Sequence, residues 1–211
     1  EKKLLTFLTS VSSIDCKTVG TKGRIMRKNL GAKEWLYPMP VLIIGSYDAD
    51  GNPDAMNAAW GGIGDTKQIF LCLSPEHKTV KNILLKKAFT VSVATAGYTA
   101  ECDYVGLVSG NKEPEKLKKA GFHTVKSENV DAPLIEELPF ALECRLTSYD
   151  EKSGHLFGEI VNISADDSIL TEDGKINVQK LNPITYDSAN HNYLALGAVA
   201  GKAFSDGQKI K

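Results

Sequence analysis

The sequence predicts a mainly β fold, an antiparallel barrel or sandwich with short helices covering its ends. Three observations carry this. At least six segments read as strands, against two or three short helices. Clusters of turn residues such as 48–53 and 150–154 separate neighbouring strands by only a few residues, as antiparallel pairs require. No strand alternates regularly with a helix, which disfavours a doubly wound parallel sheet.

The first strand is the run Val41, Leu42, Ile43, Ile44, entered past Pro38 and Pro40. Its β-branched, uninterrupted apolar character is that of a buried strand. Residues 48–53 then reverse the chain, with Gly51 free to take positive φ and the aspartates and Asn52 able to bond their own backbone. The returning strand, 55–60, is unusual. Ala55, Asn57, Ala58 and Ala59 stand where a core strand carries Val or Ile. Such a strand either packs tightly against another strand or lets a flat group approach its backbone.

Residues 68–73 form a third strand. Ser74-Pro75 reads as an N-cap followed by a proline in the first helical turn, with Val80, Ile83 and Leu84 on one face of the helix and Lys86 and Lys87 at its end. The junction 74–79 is either plain capping or, with Lys78 and free N–H groups, a phosphate site. Residues 89–93 are a fourth strand. A helix follows over 98–108, with Thr99 as its N-cap, and a lysine-rich amphipathic turn over 113–119 stops at Gly121. The charge run 112–119 reads as a solvated face, and 124–138 as a loop. Two strong strands, 140–149 and 155–163, form a hairpin. The tail adds apolar segments around 184–186 and 193–197 between turn-rich stretches.

Composition narrows the function. A chain of 211 residues is one domain, or one with an appendage, and buries enough core to need no disulfide or metal. Net charge is −1, with 25 basic and 26 acidic residues intermixed, so no basic face for nucleic acid stands out. The four cysteines, at 16, 72, 102 and 144, make no C-x-x-C, and the four histidines make no metal-ligand spacing. Reduced thiols and a cytoplasmic protein are expected. No stretch reaches the ~18 apolar residues of a membrane span. Residues 61–64, Gly-Gly-Ile-Gly, lack the following helix of a dinucleotide loop. Residues 1–25 carry a short apolar run too brief for a secretory leader, so they are expected to be an N-terminal extension to a domain spanning 26–211.

Several stretches in one order, from about residue 30 to the end, resemble the flavin reductase-like family and within it the flavoredoxins. They are Pro40-Val-Leu-Ile-Ile-Gly45, Asn57-Ala-Ala-Trp60, the 74–83 junction, Cys102-Asp-Tyr-Val-Gly106, Ser109-Gly110, Leu142-Glu-Cys144, Gly154-His-Leu-Phe-Gly-Glu159, Tyr193-Leu-Ala-Leu-Gly197 and Gly201-Lys-Ala-Phe204. The resemblance implies an FMN-binding split β-barrel, an antiparallel Greek-key barrel with short peripheral helices, and a homodimer with flavin near the subunit interface. Asn57, Ala58, Ala59 and Trp60 would line the isoalloxazine ring, although Trp60 also reads as ordinary core. Ser74, His77, Lys78 and Thr79 would hold the FMN phosphate. Cys102 and Asp103 would lie near the ring, with Tyr104 and His155 as candidate catalytic residues; His155 reads equally as a hairpin histidine bonded to local backbone. The implied activity moves electrons from NAD(P)H or a protein donor through FMN to an acceptor. The alternative is a non-enzymatic electron carrier serving a partner redox protein. Flavin carries the chemistry itself, so no catalytic dyad is required.

Overall fold

A computed structural model describes residues 27–210, so the expected boundary at 25–26 lies outside the described residues. Residues 27–33 belong to one unit of the chain and residues 34–210 to a second. In the described part of the first, the Asn29 side chain accepts a hydrogen bond from the Gly31 N–H at 3.0 Å.

The second unit contains β1 (Met39–Pro40), β2 (Leu42–Tyr47), β3 (Pro53–Ala58), β4 (Gly61–Asp65) and β5 (Gln68–Cys72). Then come α1 (Lys78–Lys86), β6 (Ala88–Val93), α2 (Thr99–Leu107) and α3 (Lys116–Ala120). The remainder is β7 (Thr124–Lys126), β8 (Pro133–Ile135), β9 (Phe140–Asp150), β10 (His155–Ala165), α4 (Val178–Leu181), β11 (Ile184–Asp187) and β12 (Asn192–Ala195). Seven strands form one antiparallel sheet in the order β3-β2-β6-β9-β10-β5-β4. Its two edge strands, β3 and β4, are joined by Ala59 and Trp60 alone. So short a link between opposite edges requires the sheet to curl back on itself. The result is the expected barrel, split along the β3/β4 seam, where β3 keeps an unpaired backbone edge.

The apolar run 41–44 is explained by burial of both faces of its strand. Leu42 and Ile44 point into the barrel with Leu71, Phe89, Val91, Leu142 and Leu156. Val41 and Ile43 point outward, to Cys102 and Val105 of α2, Leu117 of α3 and Ile184 of β11. The alternation is the two-residue period of a strand placed between two layers. Helix α1 covers one barrel end with Val80 and Ile83. Strands β9 and β10 bend around the barrel through two bulges, and Gly158 sits at one of them. A Cβ there would stand 2.4 Å from Cζ of the buried Phe89, so only glycine lets the aromatic ring fill the core.

Four local expectations are corrected. Ser74 does not cap α1: its carbonyl accepts from the His77 N–H at 3.2 Å, Pro75 occupies a turn, and His77 immediately precedes the helix. Thr99 opens α2 rather than capping it, and its hydroxyl donates to the Ala96 carbonyl at 3.2 Å. Residues 124–138 contain the β7–β8 hairpin rather than a plain loop, and residues 61–65, assigned no element from sequence, form a strand. The charge run 112–119 is solvated at Lys118 and Lys119 but not at Lys116, which is 3% exposed.

Candidate functional site

At the seam, the end of β3 and the link to β4 form the floor of a cleft of about 570 Å³. Met56, Asn57, Ala58, Ala59 and Trp60 supply that floor, with Cys72, Leu73 and Ser74 after β5, His77 before α1, and Gly154 on the β9–β10 turn. Tyr186, Ser188 and His191 of the β11–β12 hairpin close the far side. A second cleft, about 490 Å³, shares Asn57, Ala59, Tyr186 and His191 with the first and adds Asp103, Gly106, Leu107 and Tyr193. The lack of bulk in this strand therefore serves open space, not a tight strand contact. Trp60 is 51% exposed at the mouth, which removes the core alternative for it.

Asn57 is held in place: its amide donates to the Cys102 carbonyl at 3.0 Å. Above it, Tyr193 donates to Asp103 at 2.7 Å, and Tyr186 meets Nδ1 of His191 at 3.0 Å. Burial, then the Asp103 carboxylate, push the Tyr193 phenol well above its usual range, so it stays protonated. The two tyrosine rings, paired across β11 and β12, lie 5.9 Å apart.

A small polar bay of about 150 Å³ adjoins both clefts, sharing Met56 and His77 with the first and Gly106 and Leu107 with the second. Its lining includes the start of α1 (Lys78, Thr79), Ser109, Gly110 and, from behind, Asp54 and Lys116. The first N–H groups of α1 have no partner within the helix and carry its positive dipole end. Lys78 pairs with Asp48 at 3.2 Å. Thr79 is 1% exposed and its hydroxyl donates to Asp54 at 2.6 Å. Gly110 packs so closely that a Cβ would lie 2.3 Å from the Asp54 carboxylate. Desolvation against the cleft wall, and then the Lys116 charge, lower the pKa of His77, favouring the neutral imidazole.

The expected site residues are thus partly assembled. Asn57 to Trp60, Ser74 and His77 line the main cleft, Lys78 and Thr79 the bay, and Asp103 the second cleft. Cys102 stands apart: it is fully buried on the inner face of α2, and burial pushes its thiol up to about 12, which leaves no thiolate for chemistry. Tyr104 packs with the outer core. His155 is exposed on the barrel wall, opposite Cys72 and edge-on to Phe70 at 5.2 Å. Neither lines a cleft described here. Sequence reading missed Tyr186, His191, Gly106 and Lys116. Tyr186 and Tyr193 stand in tail segments that the sequence showed only as apolar stretches, and nothing local places those segments over Asn57.

Comparison with known proteins agrees with this geometry. The flavoredoxin of Desulfovibrio vulgaris (Miyazaki F) superposes with a TM-score of 0.83 at 36% identity, over 86% of this chain and 100% of that one. The flavoredoxin from Methanosarcina acetivorans superposes at 0.80 with 25% identity, over 88% and 100%. An uncharacterised protein of Aquifex aeolicus is 33% identical over 111 residues, 50% of this chain and 55% of that relative. The family described as flavin reductase like domain matches residues 35–190, the stretch that builds the barrel, the cleft floor, the bay and the Tyr186 wall, and the chain belongs to that family.

Proposed function

We propose that this protein is an FMN-binding oxidoreductase that passes electrons from NAD(P)H or a protein donor to an acceptor. The observation that carries the reading is the meeting, at Met56 and His77, of a ring-sized cleft with a phosphate-sized bay at a helix start. The residues fit the cofactor's parts. The cleft floor combines small side chains with an unpaired β3 edge, whose N–H and C=O groups match the polar rim of a flat ring. Cofactor sites of this kind are mostly apolar, with a few placed polar groups. The bay offers helix N–H groups, Lys78 and the Ser109 hydroxyl, a donor set suited to a phosphate dianion. When bound, FMN would supply two-electron redox chemistry. The protein's own work is to hold Asn57 against Cys102, keep Tyr193 protonated, and limit water at the seam with Trp60 and the β11–β12 hairpin.

The decisive experiment is a visible absorption spectrum of the purified protein, followed by anaerobic addition of NADH and then NADPH. Twin flavin bands that bleach promptly are the expected result. A colourless protein that takes up no added FMN overturns the proposal. Similarity to flavoredoxins favours a second reading, a carrier that retains FMN and exchanges electrons with a partner protein. Bands that bleach only with dithionite would select it.

Lys78→Ala is expected to weaken FMN binding by about 1–2 kcal/mol, roughly ten-fold, through loss of one charge-assisted bond. Riboflavin affinity should not change. A titration showing equal FMN affinity would remove Lys78 from the site.

A homodimer belongs to the same proposal. It is supported by the exposed apolar residues of the C-terminal arm, Val199 at 84% and Phe204 at 99%. A cytoplasmic location accords with the free thiols of Cys72, Cys102 and Cys144. Among the described residues no helix is long and apolar enough to cross a membrane.

A further inference from the structure

Lys116 is the anomaly of the charge run: an ammonium group in the wall behind the bay, as buried as its partner. Its Nζ lies 3.1 Å from Oδ1 of Asp54, which is also 3% exposed. It donates to the carbonyls of Val105 at 3.3 Å and Val108 at 3.2 Å. Its three protons are therefore committed, and it has none left for a ligand. The groups it engages share one property. Asp54 carries a full negative charge, and Val105 and Val108 belong to the C-terminal turn and cap of α2, the negative end of that helix dipole. Both sources of negative potential border a bay whose attraction for an anion comes from α1 and Lys78.

We infer that Lys116 is the positioning residue for the phosphate end of the cofactor, cancelling the field of Asp54 and the α2 carbonyls where an anion must enter. This rests on the proposal that the bay receives the FMN phosphate. Lys116 also draws together the pieces that shape the bay. Asp54 on β3 takes the Thr79 hydroxyl of α1 on its other oxygen, and Gly110 packs against the same carboxylate. The sequence places these residues far apart, and a single buried ion pair brings four elements to one point. In so dry a setting a charge acts on its neighbours with little screening.

The test compares FMN with riboflavin, which lacks the phosphate, by fluorescence titration of two variants. Lys116→Met exposes the bay to the uncancelled charge of Asp54 and should lower FMN affinity about ten-fold or more, through one added negative charge beside the phosphate. Riboflavin affinity should stay within about two-fold, because no charge on that ligand meets the altered field. Asp54→Asn keeps the shape and the ammonium, so it should shift the preference the other way, widening the margin of FMN over riboflavin. The opposite signs identify electrostatic positioning, since a merely structural pair would weaken both ligands in both variants. That parallel loss, or an unchanged FMN preference in Asp54→Asn, overturns the inference even if Lys116→Met does not fold. Wild-type protein that binds FMN no better than riboflavin refutes the phosphate assignment itself, and the inference with it.

Discussion

Replacing Glu143 by Leu is expected to lower the unfolding free energy by about 1–3 kcal/mol, the cost of leaving the buried Ser127 hydroxyl without its acceptor. Glu143 on β9 is 1% exposed, and among the described residues it forms no salt bridge. Its carboxylate instead accepts from the hydroxyl of Ser127 and from the amides of Asn129 at 2.9 Å and Asn162 at 2.7 Å. These bonds tie the loop before β8 to the barrel, where Val130 and Ala132 pack on Ala88. Leucine matches the volume but strands the buried Ser127 hydroxyl, while the exposed Asn129 and half-buried Asn162 amides can turn to water. Glu143→Gln keeps one acceptor oxygen and should cost less. Urea unfolding of the two variants measures both. Equal midpoints for wild type and Glu143→Leu would show that the donors find other partners.

The same carboxylate makes stability depend on pH. Burial raises its pKa, but the hydrogen bonds from Ser127, Asn129, Asn162 and Ser164 outweigh burial and hold it below 4.5. A folded-state pKa below the unfolded one means that the unfolded chain binds the proton first as pH falls. The contribution is therefore complete above pH 4.5 and is lost as pH drops through the folded value. The difference between wild type and Glu143→Gln should shrink over that acidic window and stay constant at neutral pH. A difference that grows on acidification would reverse the sign of this account.

Gly106→Ala is expected to reduce FMN affinity about ten-fold or more, a larger effect than its cost in stability. A Cβ on this α2 residue would stand 2.7 Å from Cβ of Asn57, closer than unstrained atoms approach. That contact is with the root of the Asn57 side chain, not its flexible end, so α2 and β3 must separate. Overpacking of this kind costs about 1–3 kcal/mol. Alanine recovers about 1 kcal/mol of helix propensity relative to glycine, leaving a small net change in unfolding free energy. The displacement falls on the cleft floor, where Asn57 is also bonded to Cys102. Equilibrium unfolding and an FMN titration on one preparation separate the two effects. Full FMN affinity in a folded Gly106→Ala protein would move the ring away from Asn57.

Local residue chemistry was enough to state much of the architecture. The run 41–44 and the hairpin of β9 and β10 are written in apolar character and turn residues, and these act between near neighbours. The small residues 57–59 marked an unusual strand for the same reason, since an absence of bulk is visible in sequence, but whether it met another strand or open space was decided by the fold. The α1 junction was located, but its cap was misplaced, because Pro75 suits a turn as well as a first helical turn.

What only the tertiary structure decided depends on contacts between distant parts of the chain. Gly61 to Asp65, with three glycines in five residues, carries no strand signal of its own until the curled sheet gives it β5 as a partner. Lys116 reads as solvent-facing until Asp54, 62 positions earlier in the chain, and the end of α2 surround its ammonium. Tyr186 and His191 reach the cleft because the β11–β12 hairpin folds over it, and Tyr104 is withdrawn because α2 turns that side chain toward the outer core. Periodicity and turn chemistry determined most of the barrel strands and the positions of the two longer helices. Which charges are buried, and which side chains share one cleft, followed from the closure of the barrel, since burial and electrostatics depend on distances in space.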